Sequence, residues 1–119
     1  MTLNDWLSGT HWHSKATEKK MWEEMIFYAM LESKTPKPLP TPINIISTTF
    51  SKKERDVDNC GVPVKYFLDA LVRLGYIPDD GPKYVKSSTT VWRKAEKEEK
   101  VVFLVLPGAS FVDEVIDKN

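Results

Sequence analysis

INIISTTFSKKERDVDNCGVPVKYFLDALVRLG, residues 43–75, is the stretch that decides how this chain folds. Its opening, 43–50, is rich in β-branched residues and reads as a strand. Its closing part reads as a helix over 62–74. Pro63 suits a first turn, Val64, Phe67, Leu68, Leu71 and Val72 form an apolar stripe at helical spacing, and Gly75 is a natural residue just past the last turn. Between strand and helix lies RDVDN, with two aspartates on alternate positions directly after Lys52, Lys53 and Arg55.

On the N-terminal side, Ser14 is a candidate cap, and Trp22, Met25, Ile26, Ala29 and Met30 recur at helical spacing, which predicts a helix over 14–32. The four prolines of PKPLPTP, residues 36–42, exclude helix and make a stiff, extended connector. On the C-terminal side, IPDDGP at 77–82 is turn chemistry. Strands are expected over 83–93 and 100–106, separated by KAEKEEK, and VVFLVL is continuous enough to be a central strand. The tail after Pro107 forms either a short helix over FVDEVID or a loose end. The order α-β-α-β-β describes a small α/β or α+β domain, a mixed sheet with two main helices packed on it. No repeat or internal boundary divides residues 1–119, so a single domain is expected, with 107–119 as an acidic tail.

A chain of 119 residues can build one modest core. It has no apolar run long enough for a bilayer, and its first residues lack the basic and apolar regions of a signal peptide. The single cysteine, Cys60, rules out an internal disulfide framework and suits a reducing compartment. A soluble cytoplasmic protein with no membrane partner is the expectation. Net charge is zero, but it is unevenly spread. Residues 107–119 carry net −2, which leaves 1–106 at +2 with every aspartate counted as charged. Lys83, Lys86, Arg93 and Lys94 share a stretch without acids, and Lys15, Lys19 and Lys20 cluster around Glu18 alone. A divalent cation among the aspartates would make the body basic toward a phosphate backbone.

If the strand at 43–50 stays extended to residue 58, Asp56 and Asp58 project to one face. Two adjacent carboxylates repel, and a hard divalent cation with oxygen ligands compensates them. A solvated turn built with Asn59 explains the same string. Asp79-Asp80-Gly81 is ordinary turn chemistry by itself. The helix between the two acidic groups spans about 18 Å, so their meeting depends on how 75–80 runs back. Lys65 sits in the first helical turn, where it could offset the acidic pair or steady a phosphate. Asp69 and Arg73 continue its row as a solvated face of i,i+4 pairs. His11 and His13 read as a surface pair rather than metal ligands. Met21, Met25 and Met30 read as core filler, and Cys60 lacks a histidine motif that would make it a nucleophile.

Taken together, RDVDN followed by VKYFLDALVRLGYIPDDG resembles the core of RusA-type Holliday junction resolvases, especially their phage-borne branch. The likeness is close over 55–81 and looser over TLNDW and the strands. Relatives carry a strand ahead of the TLND-like segment and are arginine-rich where this sequence has GTHWHSKATEKK. The resemblance implies a homodimeric, magnesium-dependent endonuclease (manganese substituting) that cuts four-way or other branched DNA in pairs. It places Asp56, Asp58 and Asp80 on the family's metal-binding carboxylates and Lys65 on its catalytic lysine. Lys15, Lys19, Lys20, Lys52, Lys53, Arg55, Lys83 and Lys86 are the candidate DNA contacts. The alternative from the same fold is a junction-binding protein with weak or no catalysis, and a plain structural domain with surface acids is more distant.

Overall fold

The computed structural model describes residues 15–54 and 60–108. Two helices and three strands follow one another as α1 (Lys15–Glu32), β1 (Ile43–Ser51), α2 (Val62–Arg73), β2 (Val85–Lys94) and β3 (Lys100–Pro107). The sheet order is β2-β1-β3, with β2 parallel and β3 antiparallel to β1. This is a small mixed sheet with two helices, an α+β fold. Among the described residues no helix is long and apolar enough to cross a membrane.

The quoted stretch supplies the centre of the fold. Ile43, Ile45, Ser47, Thr49 and Ser51 are all fully buried, because alternate residues of β1 face the helices. The intervening Asn44, Ile46, Thr48 and Phe50 face the other way. α2 lays Val64, Phe67, Ala70 and Leu71 against the sheet, and the Phe67 ring stacks on Phe103 of β3 with centroids 4.1 Å apart and planes 2° from parallel. α1 contributes Trp22, Ile26 and Met30, and Met21 and Met25 pack partly buried beside them. The expected methionine filler is thus in the core; Ala29 of the expected stripe is exposed.

Both helices end the same way. Thr35 N–H donates to the Met30 carbonyl with Lys34 at φ 54°, and Tyr76 N–H donates to the Leu71 carbonyl with Gly75 at φ 84°. These bonds satisfy carbonyls that the helix itself leaves open. The proline-rich connector buries Leu39, whose N–H donates to the Tyr76 carbonyl at 2.9 Å, so it is pinned to the turn after α2.

The strand expected at the centre of the sheet is at its edge. VVFLVL forms β3, paired on one side only, and β1 is central. A continuous apolar run signals burial on both faces, but here only one face of the sheet carries helices. Val101, Phe103 and Val105 pack under them, while Val102, Leu104 and Leu106 remain 44%, 50% and 41% exposed. The Ser14 cap, the His11/His13 pair and the tail after Gly108 lie outside the described residues.

Candidate functional site

β1, α2 and β2 form a β-α-β crossover, and its two ends separate the residues of interest. At the carboxyl end of β1, Ser51 pairs in register with Lys94, the last residue of β2. There the Trp92 indole N–H donates to Ser51 Oγ at 2.8 Å, and Ser51 Oγ donates to the Lys53 carbonyl at 2.7 Å. Ala95 N–H donates to the Ser51 carbonyl, and Lys52 N–H donates to Glu99 Oε2 at 3.0 Å. The chain therefore stops pairing at Ser51 and bends over Lys52 and Lys53. The expectation that the strand runs on toward residue 58 fails here, because Ser51 turns the backbone by bonding two residues ahead. The alternation of β1 does not carry through to Asp56 and Asp58, which with Arg55 lie outside the described residues.

The chain re-enters through buried Cys60, in keeping with an inert thiol. Gly61 precedes α2 without a side-chain cap, and Pro63 stands in the first turn. Lys65 is exposed and makes no hydrogen bond or ion pair with any described residue. Its ammonium is held up at the start of α2 while Val64 and Phe67 anchor the turn beneath it.

Asp69 and Arg73 do something the helical spacing did not reveal. Asp69 Oδ2 lies 3.5 Å from Lys19 Nζ and Arg73 Nε lies 3.5 Å from Glu23 Oε2, so both reach across to α1 instead of pairing along α2. These partly exposed pairs are each worth about 0–1 kcal/mol. A more buried tie runs beside them: Tyr66 hydrogen-bonds Glu18, and its ring stacks on Trp22 with centroids 6.0 Å apart. Burial first, then the Glu18 carboxylate, push the Tyr66 phenol above its ordinary pKa.

Asp79 and Asp80 sit at the other end of the crossover. Both are exposed, in the turn that leads into β2. Gly81 accepts from the N–H groups of Tyr84 and Val85 at 2.9 Å each, and the Tyr84 carbonyl accepts from Ile43 N–H. The turn is thereby fastened beside the first residue of β1, nine residues from Ser51. The remainder of α2 beyond Lys65, about 12 Å of helix, and the turn after it separate Lys65 from Asp80. Among the described residues no contact joins the two, and none forms a group of three or more His, Cys, Asp or Glu side chains able to hold a metal.

The basic residues divide in the same way. Lys52 and Lys53 lie at the carboxyl end of β1 beside Arg93 and Lys94; Lys83, over the Tyr84 ring at 5.5 Å, and exposed Lys86 lie at the amino end of β2. Lys19 is engaged with Asp69, Lys20 is exposed, and of Lys15 only its place at the start of α1 is described.

Two residues on the helix-facing side of β1 escaped the sequence reading. Ser47 Oγ and Thr49 Oγ1 are buried with no hydrogen-bond partner. The signal was present in ISTTFS, where the inward positions change from isoleucine to hydroxyl residues, but the β-branched character of the strand concealed it. In comparisons with known proteins, no family model, no curated protein and no solved structure matches this chain.

Proposed function

We propose that this protein is a magnesium-dependent, structure-specific endodeoxyribonuclease that resolves four-way or other branched DNA by paired phosphodiester hydrolysis, acting as a homodimer in the cytoplasm, that of a bacterial host if the gene is phage-borne. The observation that carries this reading is the joint spacing of Asp56, Asp58, Lys65 and Asp80 in one strand-helix-turn unit. Placement supports it in part: residues 55–59 fall between the carboxyl end of β1 and the amino end of α2, where open α/β units commonly put their ligands.

Asp56, Asp58 and Asp80 would hold the magnesium, whose oxygen-ligand preference they match and which would supply phosphate charge neutralisation and an acidified water. Lys65, exposed and free of described partners, is suited to stabilising charge on the scissile phosphate. Lys52, Lys53 and Arg55 lead into the acidic pair and would draw in the backbone, a contribution that weakens as salt rises.

A second reading, junction binding with weak or no cleavage, is favoured by one observation: Asp80 is fastened at the end of the crossover away from Lys65. Asp58→Asn separates the two. In the nuclease reading the variant binds a four-way junction in magnesium but no longer nicks it. Equal cutting by wild type and variant sinks the assignment of Asp58.

A further inference from the structure

The face of the sheet away from the helices is apolar, with a basic end. In register across β1 and β3, Asn44 lies opposite Leu106, Ile46 opposite Leu104 and Thr48 opposite Val102. Val91 of β2 stands beside Thr48. Toward the carboxyl end of β1 this face deepens into an open cleft floored by Ile46, Phe50 and Val91. Arg93, Lys94, Lys97 and Lys100 line that end against only Glu96 and Glu98, and Lys100 Nζ stands 5.3 Å from the centroid of the Phe50 ring. Large exposed apolar side chains contiguous on one sheet face call for a cover.

We propose that the cover is the chain's own C-terminal segment, residues 109–119, docked on this face within the same molecule. Three observations select it over other occupants. First, the segment starts at the rim of the face. Gly108 N–H donates to the Pro42 carbonyl at 2.8 Å, and the Gly108 carbonyl accepts from Asn44 Nδ2 at 3.0 Å; Asn44 is the first β1 residue of the uncovered face, and Ser87 Oγ donates to its Oδ1 at 2.7 Å. Gly108 has φ 101°, a conformation that glycine adopts without cost, so the chain bends there instead of extending β3.

Second, the segment has the complementary chemistry. Phe111, Val112, Val115 and Ile116 are spaced to share one side of a helical turn, and Asp113, Glu114 and Asp117 occupy the rest. Third, its length fits. Gly108 lies next to Asn44, whereas Lys100 lies opposite Phe50, about 20–26 Å away along the strands. Three extended steps and six helical ones take Asp117 about 19 Å from Gly108. The long Arg93 and Lys100 side chains close the remainder. The apolar stripe then covers Leu106, Leu104 and Val102, and the acids meet the basic end of the cleft.

The experiment places a nitroxide on Val115→Cys in the full chain; Cys60 is fully buried and does not compete for the label. With ¹⁵N-labelled protein, the amides of Ile46, Val102 and Leu104 lose their signals to the nitroxide while those of Trp22 and Ile26 keep theirs. Adding Leu104→Asp restores the lost signals, and so does high salt in part. The proposal is overturned if the β1 and β3 amides keep their intensity. It is also overturned if signals are lost equally when spin-labelled ¹⁴N protein is mixed with unlabelled ¹⁵N protein, since the segment then docks on a second copy.

Discussion

Replacing Phe67 by alanine removes the ring that holds α2 to the sheet and so tests how the first turn of α2, with Lys65, is positioned. Phe67 is 3% exposed and lies flat on Phe103, centroids 4.1 Å apart. Truncating a buried phenylalanine costs about 3–5 kcal/mol, of which about 1 kcal/mol comes from the aromatic pair itself. Phe103 is only partly buried, so the lower half of that range is expected, because an open side lets neighbours relax into the gap. Against a total stability on the order of 5–15 kcal/mol, the variant folds but with little margin. With a urea m-value of about 1.5 kcal/mol/M, the unfolding midpoint falls by roughly 2–3 M. A double-mutant cycle with Phe103→Ala isolates the pair and should give a coupling of about 1 kcal/mol. A Phe67→Ala loss below about 1 kcal/mol, or a coupling indistinguishable from zero, would refute the stack as the tie between α2 and β3.

Three further outcomes follow from the same structure. Thr49→Val removes a buried hydroxyl that has no partner, so it should leave stability unchanged or raise it by about 1 kcal/mol, read from urea unfolding; a clear loss would mean that the hydroxyl is bonded in solution. Gly75→Ala forces a side chain into φ 84° with Lys37 Cε 3.1 Å from the new Cβ; it should cost about 1–2 kcal/mol, and a neutral result would contradict the left-handed helix end. Tyr66 carries a raised phenol pKa, from burial and then Glu18, so its contribution is fully present below the ordinary phenol value of about 10 and is lost as pH rises through the higher folded value. Unfolding midpoints of wild type and Tyr66→Phe should therefore converge in strongly alkaline buffer, and parallel curves would count against the shift.

Much of the architecture was legible because its punctuation is local. Pro63 and Gly75 bracket α2, four prolines clear the way into β1, and the turn residues at 77–82 separate α2 from β2, so each element falls within two residues of its expected place. The order of strands was not legible. Val102, Leu104 and Leu106 look the same in sequence whether a second helical layer covers them or not, and only the assembled sheet shows that none does among the described residues. Asp69 and Arg73 sit at helical spacing from one another, yet their partners belong to α1, which no pattern within α2 can disclose. The exposure of Lys65 at the head of α2 was readable from its place on the polar side. The position of Asp80 was not, since it depends on where the turn after α2 is fastened, and Gly81 fastens it to the beginning of the sheet.

The proposed activity is tested most directly by incubating the wild-type protein with a labelled mobile four-way junction, with magnesium and with chelator, and mapping cuts on all four strands. The nuclease reading requires paired, symmetric nicks in opposing strands in magnesium and none in chelator. Tight junction binding with all four strands intact in magnesium would contradict it and leave a binding protein of the same fold.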